Sequence, residues 1–115
     1  MQETIAKRIN KPWGYELIWA HTESYVGKLL HINAGHRLSK QYHEEKEETL
    51  YVLKGILDLE LDGSKRHVSP GEFFHIKPGV IHRFAANEAD VELMEVSTTQ
   101  LDDVIRVEDD YNRES

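Results

Sequence analysis

The run Leu57-Asp58-Leu59-Glu60-Leu61-Asp62, closed by Gly63, restricts the chain more than any other segment. Apolar and acidic residues alternate strictly, so an extended strand has one greasy face and one charged face. A helix would scatter the leucines around its circumference. Asp62-Gly63 is a two-residue hairpin signal, and Ala34-Gly35, Lys54-Gly55, Pro70-Gly71 and Pro78-Gly79 punctuate the rest. No window beyond about ten residues keeps a helical apolar period. Strands are expected over 15–19, 26–33, 39–43, 49–54, 56–62, 65–69, 72–76, 80–85 and 91–97. The stretch 98–103 reads equally as a short helix or an irregular tail. Many short strands with regular turns predict an all-β sandwich or barrel.

At 115 residues the chain holds one modest core, and a single domain rather than a large multidomain enzyme is expected. With 14 basic and 21 acidic residues the net charge is 14 − 21 = −7, a poor match to nucleic acid. No cysteine is present, which excludes disulfides, thiolate metal sites and a cysteine nucleophile. No apolar run is long enough to span a bilayer as a helix, and residues 1–10 lack the apolar core of a signal peptide. A cytoplasmic location with no membrane partner is expected. The charge is concentrated in residues 101–115, with six acids and two bases, and in residues 44–48, Glu-Glu-Lys-Glu-Glu. Both runs read as solvated surface, Glu48 excepted.

Glu48 belongs to a spaced set. Gln41 and His43 are two apart and share a strand face; Glu48 opens an apolar strand on the face of Leu50 and Val52; His82 returns beside Val80 and Phe84. If these strands line one barrel, Gln41, His43, Glu48 and His82 converge. Two imidazoles, a carboxylate and an amide oxygen suit a divalent metal with positions left open. Zinc is placed first, with manganese, iron, cobalt or nickel as alternatives. A lone histidine is more often a core or surface residue; the spacing of four argues otherwise. His31, His36, His67 and His75 have no such spacing.

Residues 35–55 fit the pattern G-x5-H-x-H-x4-E-x6-G, with Gln41 where the first histidine stands, and Gly71, Gly79 and His82 fit a second motif. The chain thus resembles the cupins, which implies a small jelly-roll barrel over residues 1–115, with a core about 11–97 and an acidic segment 98–115. Lys11-Pro12-Trp13-Gly14-Tyr15, the run from Gly35 to His43, Gly79-Val80-Ile81-His82-Arg83 and the stretch 103–113 look like the type II mannose-6-phosphate isomerases. In that family this domain is often fused to a mannose-1-phosphate guanylyltransferase. The sequence departs from it between Glu95 and Asp103, and Asn112 replaces a usual glycine.

The resemblance implies a metal-dependent aldose–ketose isomerase acting on a sugar phosphate, with mannose-6-phosphate and fructose-6-phosphate the first pair. A cupin dioxygenase and a non-catalytic sugar-binding cupin are the alternatives. Arg37 shares parity with Gln41 if the strand is regular, and Lys28 shares parity with Leu30 and Ile32, so both are candidates to hold the phosphate. Glu95 is the candidate base, although the alternation breaks between Leu93 and Val96 and leaves its direction open. Lys40 and Arg83 alternate away from the ligand face; Arg83 reads as an outward arginine or a partner of the acidic tail. Trp13, Tyr15 and Trp19 read as core or interface. Asp109 and Asp110 are expected to clamp the barrel end through Arg106 or Arg113. Edge strands predict a homodimer, with residues 5–19 as the pairing element.

Overall fold

The computed structural model describes residues 5–113. Twelve strands run β1 Lys7–Lys11, β2 Gly14–His21, β3 Val26–Ile32, β4 His36–Arg37, β5 Lys40–Tyr42, β6 Glu48–Lys54, β7 Leu57–Leu61, β8 Ser64–Val68, β9 Phe73–Ile76, β10 His82–Ala86, β11 Val91–Ser97 and β12 Ile105–Glu108. They form two antiparallel sheets, ordered β1-β2-β3-β11-β6-β9 and β12-β5-β10-β7-β8, with β4 also on β10. Among the described residues no helix is long and apolar enough to cross a membrane.

The alternation that marked 57–62 does what it promised. Leu57 and Leu59 are buried between the sheets with Leu30, Ile32, Leu50, Val52, Phe74, Ile76, Phe84, Val91 and Leu93. Each large apolar side chain removed from water contributes about 1.5–3 kcal/mol, which is what holds the sheets face to face. Trp13 joins this core, whereas Trp19 is half exposed and lies across Gly27, and Tyr15 stacks on His31.

Three elements escaped the sequence pattern: β1, β12 and the two-residue β4, which pairs with the end of β10. β1 pairs with β2 in register from Lys7↔Ile18 to Lys11↔Gly14, so residues 7–18 close as a hairpin within the chain. β12 pairs with β5 through Ile105↔Tyr42 and Arg106↔Gln41, so the acidic segment carries a strand. Residues 98–104 between β11 and β12 are irregular, not helical. Gly55 sits at φ 77° where a Cβ would run into the Asp90 carbonyl, so a side chain there is excluded twice, by φ and by space.

Candidate metal centre

β5, β6 and β10 carry the spaced residues to one place. Glu48 is the first residue of β6 and His82 the first of β10, while His43 directly follows β5. Gln41 stands opposite His82 in the β5–β10 register. His43, Glu48 and His82 are all buried, and their ligand atoms lie within 4.8 Å of one another. Glu48 Oε1 is 3.7 Å from His43 Nε2 and 3.5 Å from His82 Nε2. Donors around one tetrahedral zinc stand about 3.4 Å apart, so these spacings fit a shared ion.

The imidazoles are set up for that role. His43 Nδ1 is 2.5 Å from the Asp103 carbonyl and His82 Nδ1 is 2.9 Å from the Val80 carbonyl. A carbonyl only accepts, so each Nδ1 carries the proton and each Nε2 presents a lone pair. Both Nε2 atoms are buried and, among the described residues, make no hydrogen bond. Burial pushes the His82 imidazole below its ordinary value, with Glu48 pulling the other way, so a neutral ring is favoured. Orphaned nitrogens beside a buried carboxylate fit a divalent cation, to which His43, Glu48 and His82 would be ligands. Gln41, opposite His82 in the register, accepts a 2.6 Å bond from the Ser39 hydroxyl at its Oε1.

Lys46 is the residue the sequence reading missed. It belongs to an acidic run that reads as solvated surface, yet it is 5 % exposed. Its Nζ lies 3.0 Å from Glu48 Oε2 and 3.1 Å from Glu95 Oε2. Burial alone would lower the lysine, but the Glu95 and Glu48 carboxylates outweigh it and hold the ammonium above its ordinary range. Glu48 goes the opposite way: burial would raise it, and His43, Lys46 and His82 together bring it well below the usual carboxylate range. Glu95 points inward, opposite Lys28 on β3 and Leu50 on β6. Burial and the Glu48 charge push it up, more than Lys46 and Lys28 pull it down.

A cavity of about 90 Å³ adjoins the cluster. Lys11, Lys28, Lys46, Arg106 and Arg113 line it with Glu16, Asp103, Gln41 and His43; Glu95 does not. Lys28 is buried and pairs with Glu16 at 3.4 Å. Asp103 closes one side. Its carboxylate accepts from the N–H groups of Glu44 at 3.0 Å, Glu45 at 2.7 Å and Lys46 at 2.9 Å. These donors, Glu44 foremost, hold the Asp103 carboxyl below its ordinary value.

Arg37 is not brought to this cluster. Arg37 pairs with Ala85 and Gln41 with His82, so the five residues 37–41, running from β4 into β5, face the four residues 82–85 of β10. That bulge reverses the parity and turns Arg37 to the outer face. There it forks Asp110 at 2.7 and 2.9 Å and borders a separate groove of about 450 Å³. Arg83 takes the second of its two expected roles: it is buried under the acidic tail, donating to the Leu38 carbonyl and meeting Asp110 at 3.3 Å. The tail is therefore clamped by Arg37 and Arg83 on Asp110, while Asp109 binds Arg113 locally at 2.9 Å. Lys40 faces Glu60 at 2.9 Å, away from the cluster as expected.

The sequence pattern of the family described as "Cupin domain" matches residues 28–97. The chain is 30% identical over 112 residues to the mannose-1-phosphate guanylyltransferase ManC of Salmonella typhimurium, covering 93% of this chain and 23% of that protein. It is 34% identical over 50 residues to a quercetin 2,3-dioxygenase of Bacillus subtilis, covering 44% of this chain and 15% of that protein. The chain thus spans less than a quarter of the length of either relative. The structure of KdgF from Halomonas superposes with a TM-score of 0.77 at 23% identity, covering 88% of this chain and 97% of that one. The family match spans strands β3 to β11, which carry Gln41, His43, Glu48 and His82, and the chain belongs to the cupin family.

Proposed function

We propose that the chain is a metal-dependent aldose–ketose isomerase of a sugar phosphate, with mannose-6-phosphate and fructose-6-phosphate as the first pair. The observation that carries this reading is a buried His–Glu–His set beside a cavity lined by five cationic side chains, in a chain of net charge −7. The overall field repels an anionic ligand, so a local concentration of lysine and arginine marks where one is received. The relative named for a mannose phosphate activity supports the choice of sugar.

A divalent ion held by His43, Glu48, His82 and Gln41 would supply Lewis-acid polarisation of the substrate's carbonyl and hydroxyl oxygens. The residues supply the rest. Lys28 and the cations beside it receive the phosphate in a cavity that admits one end of a ligand. Arg37, on the outer face, has no part in this. Glu95, the candidate base, lies outside the cavity and touches Lys46, which lines it, so we assign Glu95 the part of holding that ammonium beside Glu48 rather than of taking the proton itself.

The test is a coupled assay for mannose-6-phosphate conversion on chelator-stripped protein restored with Zn, Mn, Co, Ni or Fe(II), with His43→Ala as control. Metal-restored turnover that vanishes in the control is the expected result. No turnover from protein that binds metal would overturn the reading, and oxygen consumption with Fe(II) would replace it with oxygenase chemistry.

A further inference from the structure

We infer that Lys46 is a positioning residue that confines Glu48 to one ligating oxygen and so keeps a further coordination position open on the metal. This rests on the metal centre proposed above and not on the isomerase reaction. The two oxygens of Glu48 are divided: Oε1 stands 3.5 and 3.7 Å from the two Nε2 atoms, while Oε2 stands 3.0 Å from Lys46 Nζ. A carboxylate binds a cation through one oxygen or both, and the choice depends on what else claims the second oxygen. Here a buried ammonium pairs with it at 3.0 Å, in surroundings where the attraction of opposite charges is little screened.

Lys46 is itself fixed at both ends. Glu95 holds the Nζ at 3.1 Å from β11, a strand paired on both sides by β3 and β6. Asp103 holds the Lys46 backbone N–H at 2.9 Å. The ammonium therefore cannot follow Glu48 if the carboxylate rotates to chelate, and rotation would leave Lys46 with Glu95 alone. Gln41, His43, His82 and a one-oxygen Glu48 make four protein donors; a two-oxygen Glu48 would make five and remove a water or substrate position.

The experiment loads stripped protein with Mn²⁺ and measures water-proton relaxation per bound ion, which counts exchangeable waters. Titration of the unmutated protein comes first; failure to bind Mn²⁺ there refutes the metal centre and this inference with it, whereas binding there followed by unchanged relaxation in the variants refutes the inference alone. The variants are Lys46→Met, Lys46→Arg, and Lys46→Met with Glu95→Gln, which removes one charge of each sign and keeps the shape. On a six-coordinate ion with four protein donors, both methionine variants should lose one of two waters and about half the relaxation. Lys46→Arg should restore most of it. Unchanged or higher relaxation in the methionine variants overturns the inference, as does loss of Mn²⁺ binding or of folding in both of them, since Lys46 would then only build the site.

Discussion

Asp103 ties the C-terminal segment to the candidate metal loop, and its removal is the most telling perturbation. Its carboxylate accepts three backbone N–H groups from residues 44–46, and its carbonyl fixes Nδ1 of His43. Each N–H to carboxylate bond in a half-exposed turn is worth about 1 kcal/mol net, because water replaces part of what is lost. Asp103→Ala should therefore destabilise the fold by roughly 2–3 kcal/mol, or about 8–15 °C in Tm for a domain of this size. Metal affinity should fall about 10–100-fold, since the turn positions His43, Lys46 and Glu48. Asp103→Asn keeps one acceptor oxygen and should lose roughly half as much. The pH dependence has a definite sign. The folded carboxyl sits below its unfolded value, so its contribution is complete above the unfolded pKa near ~3.9 and disappears as pH falls through the folded one. The gap between unmutated protein and Asp103→Ala should narrow below about pH 4. Calorimetry and zinc titration read both quantities. A variant with unaltered Tm and metal affinity would refute the argument that this carboxylate organises the loop.

Three further outcomes are expected. Lys28→Ala should raise the KM for a phosphorylated sugar at least tenfold more than for the free sugar, and equal effects in steady-state kinetics would remove Lys28 from phosphate binding. Gly55→Ala should destabilise the protein by more than about 1 kcal/mol, because φ is positive and the Asp90 carbonyl occupies the space of a Cβ; chemical denaturation showing no change would contradict the packing there. Sedimentation equilibrium should give twice the 13.4 kDa chain mass, with the β1 edge strand as the pairing element; a monomer at all concentrations would reject the expected homodimer.

The strands and the metal set were legible because both rest on a local rule. Side chains two apart share a face, so Gln41 with His43 and Glu48 with Leu50 needed no knowledge of distant chain. The turn glycines placed the strand ends for the same reason. Arg37 was misplaced because a single-residue bulge against β10, invisible in its own segment, reversed the parity. Lys46 was hidden by its neighbours: in Glu-Glu-Lys-Glu-Glu nothing distinguishes a buried cation from a solvated one until Glu95 arrives from β11. Asp103 and Asp110 looked like acidic tail until β12 paired with β5 and carried them to the 44–46 turn and to the Arg37–Arg83 pair. The amino-acid order alone thus defines which faces are apolar and which ligand types share a face, because those follow from the two-residue period of a strand. Which charges meet, and whether a lysine is buried among them, depends on pairings between segments dozens of residues apart. Those pairings exist only once the two sheets have closed on each other.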